Sequence, residues 1–354
     1  MRFVSPFLKR VVYPCLAKSG YFKRTARQGL CAITYHGVMP DSYRARDPAM
    51  DGALVRAGNF RDQLRLLKSR YHVITPGEML EWAENRARLP KQAVLLTCDD
   101  GLLNNLTDML PILQEENLRC IFFVTGASAG EVATTLWYEE LYLILLAASE
   151  RKFVSSVDNV ILRACAEKNG KKRRAAWWDT VKVLSQVNSE DRNTLMAEAR
   201  ASLGLEEIVT STIKNDPILQ KRLLLLTSPQ VKQLIDGGMT IGAHTLTHPV
   251  LSKLSEDCAF REMADSRRLL EEVFSIPVWA VAYPFGDHEA VGERECEMAQ
   301  KAGYKCAFVN VDGGFGEVKS HFAIPRVHVT AEMSLSEFEA HVTGFYNRLK
   351  RPAQ

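Results

Sequence analysis

AVLLTCDDG at 93–101 decides how the rest of the chain is read. A short apolar run of this kind is the pattern of a strand covered on both faces, as in a parallel sheet. The run stops at two adjacent carboxylates, Asp99 and Asp100, and a glycine, so two acids are delivered at a strand end. Far downstream a second short run, MTIGA, leads into GAHTLTH at 242–248, which places His244 and His248 four residues apart. Two imidazoles with one carboxylate make a common three-ligand set for a catalytic zinc, with a fourth position left for water. The spare carboxylate of the pair is then available as a base toward that water. Each string alone reads as a solvated turn or a chance histidine spacing; both at strand ends in one chain favour a site.

Working outward, strand and helix alternate. GLCAITYHGV (29–38) reads as a first strand ending at Tyr35 and His36. A helix follows, with Phe60, Leu64, Leu67 and Lys68 at helical spacing and Asn59 as its cap. YHVIT (71–75) is a second strand, and PGEMLEWAENRA a helix with Pro76 near its start. RCIFFVTG (119–126) is another buried strand. Units of about 25–35 residues indicate βαβ repeats and a parallel sheet or barrel. From about Glu131 to Leu226 the strand pattern lapses, and WYEELYLILLAASE, KKRRAAWWDTVKVLSQV and SEDRNTLMAEARASLG carry helical periodicity. Alternation resumes with SPQVKQLIDGG, MTIGAHT, a helix from about Glu256 to Phe274, WAVAYPFG, KCAFVN and FAIPRVHV (322–329). A last helix runs from Ser334 to about Leu349. The expected division is a basic segment 1–28, a barrel built from 29–130 and 227–345, a helical insertion 131–226, and a tail 346–354.

Composition narrows the classes. The chain has 354 residues, 46% hydrophobic and 25% charged, with a net charge of +3, ordinary for a globular protein and too weakly basic to imply nucleic acid as a partner. Eight cysteines are scattered with no CxxC pair, which reads as free thiols in a reducing compartment. Residues 1–28 hold seven basic side chains (Arg2, Lys9, Arg10, Lys18, Lys23, Arg24, Arg27), no acidic ones, and Phe3, Phe7, Val11, Val12, Tyr13, Leu16, Tyr21 and Phe22. Lys9, Arg10 and Pro14 break every candidate run for a signal peptide, and no stretch reaches the ~18–20 apolar residues of a spanning helix. The segment suits the surface of anionic lipid; a helix packed on the domain with a solvated basic face is the alternative. The expected location is the cytoplasm, peripheral at the inner membrane.

LLTCDDG and HTLTH, with YPFG at 283–286, resemble the motifs of the polysaccharide deacetylases, carbohydrate esterases of family 4 with a chitooligosaccharide-deacetylase-like domain. Their first motif reads T-F-D-D-G and their second H-[ST]-x-x-H; Cys98 stands at the usual aromatic. The resemblance implies an α/β fold, a distorted (β/α) barrel of parallel strands with its site at the C-terminal mouth. It implies a metal-dependent hydrolase of amide bonds. It assigns Asp100, His244 and His248 to a divalent ion, zinc first, with Co2+, Ni2+ or Fe2+ as alternatives. Asp99 becomes the general base, and the Phe285 N–H the donor to the oxyanion. An arginine that usually opens the YPFG-type motif is replaced by Ala282, and the usual later motifs are missing or degenerate, Arg326-Val327-His328 being the nearest string. YHGV at 35–38 instead resembles the exopolysaccharide N-deacetylase subgroup, whose acid histidine lies at the N-terminal end of the domain. That makes His36 the expected general acid, with His328 its rival. A buried Asp99 without a cation would be protonated, so Arg326 is expected to supply the missing charge from another strand. The implied substrate is an N-acetylated amino sugar of a glycan or lipid-linked glycan precursor. Alternatives are hydrolysis of a non-sugar amide or imide on the same fold, and a non-catalytic glycan-binding relative; the intact Asp99 argues against the latter.

Overall fold

The computed structural model describes residues 7–44, 51–149, 159–167 and 170–350. Seven parallel strands close into a barrel: β1 (Leu30–Tyr35), β5 (Ala93–Cys98), β6 (Ile121–Val124), β7 (Thr240–Ala243), β8 (Ala280–Ala282), β9 (Cys306–Asp312) and β10 (Ile324–His328). They run in the order β1-β10-β9-β8-β7-β6-β5, and the β1–β5 pairing, Leu30↔Ala93 through Tyr35↔Cys98, completes the ring. β4 (His72–Val73) flanks β5 at its start. The distorted (β/α) barrel expected from the sequence is the observed fold. Two short strands, β2 (Gly37–Met39) and β3 (Leu54–Arg56), pair outside the ring and had no counterpart in the sequence reading.

Alternation along each strand sorts its residues by face. One set, Cys31, Ile33, Val94, Leu96, Phe122, Ile241 and Val327 among others, packs outward under the helices. The other set, including Ala32, Leu95, Phe123, Ala282, Phe308 and Ile324, fills the barrel. Bulky Phe123 fits because β7 offers Gly242 opposite: a Cβ there would lie 2.5 Å from the Phe123 ring. Continuing the inward set by two residues per step toward the strand ends gives His36, Asp99, His244, Asn310, Arg326 and His328. The apolar plug of the barrel therefore ends in a layer of ionisable and polar side chains at its C-terminal mouth, where such barrels keep their chemistry.

Between β6 and β7 the described residues form helices, among them Trp137–Ser149, Gly170–Leu184, Ser189–Leu203 and Pro217–Leu223. They share an apolar core of their own around Leu141, Ile144, Leu145, Trp177, Leu184 and Met196, against which Phe285 of the barrel packs.

Two local expectations need correction. The helix expected to be capped by Asn59 begins at Ala57 after an extended Arg56 with no side-chain cap; the Asp41 carboxylate, far back in the chain, accepts from the Gly58 N–H at 2.9 Å instead. The C-terminal helix is broken at Gly344 (φ +69°) into Leu335–Val342 and Phe345–Lys350, so the expected tail starts helical, and its last residues, 351–354, lie outside the described ones. The aromatic residues of the N-terminal segment are divided between two uses. Tyr13 and Phe22 are buried in a cluster with Phe345, while Phe7, Val11 and Tyr21 remain exposed. Arg2 and Phe3 lie outside the described residues. Among the described residues no helix is long and apolar enough to cross a membrane, and the eight cysteines are free thiols.

Candidate active site and metal centre

β5 delivers the acidic pair, and the backbone separates its members. Asp99 continues the inward register of Leu95 and Thr97, while Asp100 takes a left-handed conformation (φ +74°) before Gly101. Asp100 thereby meets the two histidines. Its Oδ1 lies 3.3 Å from His248 Nε2 and 3.5 Å from His244 Nε2, and one ligand atom from each of the three residues falls within 4.8 Å of the others. All three are buried.

The donor chemistry fits a metal ion. His244 Nδ1 sits 2.7 Å from the Ala282 carbonyl; donating there leaves Nε2 with its lone pair toward Asp100. Fixing a ligand histidine by its other nitrogen on a backbone carbonyl is the usual arrangement at metal sites. Burial alone would raise the pKa of Asp100, but the neighbouring His244 and His248 imidazoles prevail and hold it well below the usual carboxylate range.

The loop carrying these histidines is held from both sides. Its Thr245 (φ +64°) and His248 (φ +57°) are left-handed, a conformation costing ~1–3 kcal/mol for residues other than glycine and found where the surroundings enforce it. The Glu262 carboxylate accepts from the Leu246 and Thr247 N–H groups at 2.9 and 2.8 Å. Trp137 Nε1–H donates to the His248 carbonyl at 3.0 Å. Arg192, buried over the Trp137 ring at 4.7 Å, donates to the Thr247 carbonyl at 3.2 Å. The helices between β6 and β7 are thus tied to the histidine loop itself.

Asp99 takes a different partner. Both its oxygens accept from Arg326, Oδ1 from Nη1 and Oδ2 from Nη2, each at 2.7 Å. Arg326 is fully buried, lies between the Phe123 and Phe308 rings at 5.8 and 6.0 Å, and also donates to Thr97 Oγ1 and the Val309 carbonyl at 3.3 Å each. Burial would push Asp99 up; the guanidinium outweighs it and keeps the carboxyl below its ordinary pKa. The arginine missing at Ala282 thus has a counterpart on β10, which reaches across the barrel interior to the same acid.

His36 and His328 meet at the mouth as a stacked pair, ring centroids 4.7 Å apart and 28° between planes. Burial, then the neighbouring His36 and Arg326, push His328 down to about 3, so it is neutral in ordinary buffers. Its Nδ1 faces Asn310 Nδ2 at 3.4 Å. His36 is followed by Gly37, where a Cβ would strike Asn104 Oδ1 at 2.2 Å; that oxygen accepts from the Val38 N–H at 3.0 Å and so fixes the strand end that carries His36. Phe285, also left-handed (φ +61°), puts its ring 5.2 Å from His248.

His36, Asp99, Asp100, His244, His248, Phe285 and His328 line one cavity of about 520 Å³, together with Tyr138, Glu139, Trp178 and Arg222. The last four went unrecognised in the sequence. The Trp177-Trp178 pair was visible in AAWWDT, but helical periodicity does not tell which indole meets a cavity. Glu139 and Arg222 are far apart in the chain and carry no local motif. Burial drives Glu139 up to about 7 although Arg222 opposes it.

Comparison with known proteins agrees with this geometry. The family model described as polysaccharide deacetylase matches residues 86–145 and 208–307, which include Asp99, Asp100, His244, His248 and Phe285 and leave out residues 146–207 between β6 and β7. YxkH of Bacillus subtilis, a protein named as a polysaccharide deacetylase, is 31% identical over 117 residues, 33% of this chain and 41% of that protein. The chain thus matches about two fifths of the length of this curated relative. Among solved structures, the Streptococcus pyogenes deacetylase PplD in complex with acetate superposes with a TM-score of 0.55 at 16% identity, covering 90% of this chain and 99% of that one. IcaB from Ammonifex degensii gives 0.55 at 17% identity, with 90% and 98% covered; at such identities these two likenesses concern the fold. The family match and the curated relative point the same way: over residues 86–145 and 208–307 this chain is similar to the polysaccharide deacetylases.

Proposed function

We propose that the protein is a metal-dependent N-deacetylase that removes acetyl from an N-acetylated amino sugar of a glycan or lipid-linked glycan precursor. In this reading residues 29–130 and 227–345 form the catalytic barrel, and 131–226 are a helical insertion on it. The observation that carries it is the division of labour within the acidic pair: Asp100 sits against both histidines, while Asp99 is kept ionised by Arg326. A site that only bound metal would have no use for the second, separately supported carboxylate.

Asp100, His244 and His248 would hold a divalent ion, zinc by donor type, which would supply Lewis acidity to the reaction. Asp99 takes a proton from the attacking water as its oxygen bonds to the acetamide carbon. The Phe285 N–H donates to the carbonyl oxygen as it gains charge. His36 gives a proton to the nitrogen as the C–N bond breaks, so acetate and a free amine leave. The neutral state of His328 supports giving the acid role to His36, with His328 as the stacked neighbour that orients it. Accordingly His36→Ala is expected to lower kcat about 10²- to 10⁴-fold, and His328→Ala distinctly less; the reverse order in steady-state kinetics would transfer the role.

The test is a panel in which zinc-loaded full chain is offered N-acetylglucosamine oligosaccharides, non-sugar acetamides and cyclic imides. Acetate release from the oligosaccharides is the expected result. Turnover confined to the amides or imides would replace this reading with the second one, and turnover of none would leave only glycan binding.

Cytoplasmic placement against the inner membrane through residues 1–28 is part of the same proposal. Its support is that Lys18, Lys23 and Arg27 are exposed on a segment whose Tyr13 and Phe22 anchor it to the domain. Changing these three basic residues to glutamine should weaken sedimentation with phosphatidylglycerol vesicles; unchanged sedimentation would refute the contact.

A further inference from the structure

We infer that the helices between β6 and β7 add a second sugar position to the active-site cavity, with the Trp178 indole against a pyranose ring and the Glu139–Arg222 pair holding its hydroxyls. The inference rests on the deacetylase reading and narrows its substrate to an amino sugar joined to at least one further sugar.

Trp178 is 42% exposed, whereas its neighbour Trp177 is 3% exposed. Trp177 is pinned by its Nε1–H to the Tyr138 carbonyl at 2.8 Å, and the two indoles lie 4.6 Å apart. Trp178 is therefore a large apolar face held in place at the cavity wall rather than a loose surface side chain. Its ring is 6.5 Å from Phe285, and Phe285 is 5.2 Å from His248. That spacing sets the indole about one sugar ring from the reacting position. A rigid aromatic face with a few fixed polar groups is how a concave site orients an amphipathic ligand.

The polar groups are on the same cavity. Glu139 and Arg222 are 5% and 3% exposed, with Arg222 Nη1 at 2.7 and 3.0 Å from the two Glu139 oxygens. Arg222 Nε donates to Asp51 Oδ1 at 2.6 Å. Burying such charges is no net source of stability compared with apolar residues of similar size, so stability alone does not account for a charged wall. Acceptors and donors locked in place discriminate strongly between ligands that carry a hydroxyl and ligands that lack it.

The test uses N-acetylglucosamine and its β-linked tetramer as probes. With the full chain treated with chelator, so that no turnover occurs, the tetramer should change the tryptophan fluorescence of the wild type, and this change should be largely lost in Trp178→Leu. With the zinc-loaded chain, kcat/KM should favour the tetramer over the monomer, and Trp178→Leu should reduce that preference about tenfold, mainly through KM. Arg222→Met should reduce it as well, and Val183→Ala, an exposed site on the same helix, should leave it intact. Trp178→Phe, which keeps a ring, should recover part of the loss and guards against a folding defect. Equal kcat/KM for both probes, or no fluorescence change in the wild type, would overturn the second sugar position. A fluorescence change that depends on Trp178, without acetate from either probe, would uphold the sugar site and sink the deacetylase reading.

Discussion

Replacing Asp99 with asparagine is expected to lower acetate release about 10²- to 10⁴-fold, the usual contribution of a general base, while leaving metal binding intact. The side chain keeps its shape but loses the ability to accept a proton, and one oxygen remains for Arg326. Asp100, His244 and His248 are untouched, and their mutual approach does not run through Asp99. Turnover and bound metal, measured on the same preparation, separate the two carboxylates. Retained turnover would show that another group is the base. Lost metal would show that the acids have exchanged roles.

The second large effect is expected at Arg326. Its two hydrogen bonds to Asp99 are made with both groups essentially out of water, and removing one partner of a buried ion pair costs ~3–5 kcal/mol because the other charge is stranded. Arg326→Ala should therefore lower the melting temperature clearly, and should lower turnover by at least the ~10–100-fold typical of losing a group that supports a site from behind. The double variant Arg326→Ala/Asp99→Asn should regain much of the stability, since no buried carboxylate is left unpaired, but none of the activity. A stable and fully active Arg326→Ala variant would remove the guanidinium from the account.

The residues that proved legible are those governed by alternation and by charge balance. Two-residue steps along AVLLTCD lead from barrel filling to Asp99, and the same steps along FAIPRVH lead to Arg326 and His328. The need of a buried carboxylate for a cation pointed to an arginine on another strand. What escaped the sequence depends on contacts between distant segments. The β2–β3 pairing joins two three-residue strands too short to carry a period. The helix start at Ala57 is satisfied by Asp41, not by a residue beside it. Glu139, Trp178 and Arg222 meet the cavity only once the helices between β6 and β7 have packed on the histidine loop. The N-terminal segment shows the limit of a composition argument: its apolar residues were counted together, yet Tyr13 and Phe22 cover the domain's own Phe345 and Ala340.

In the proposed reaction Asp100, His244 and His248 hold an ion on which deacetylation depends. This dependence is tested most directly by titrating zinc into the chelator-treated full chain while following both bound metal and acetate released from an N-acetylglucosamine oligosaccharide. The account predicts that turnover is absent at the start and rises in proportion to one zinc per chain. It predicts that the His244→Ala/His248→Ala variant neither binds that zinc nor releases acetate. Undiminished acetate release from the chelator-treated protein, or equal zinc binding by the double variant, would contradict it.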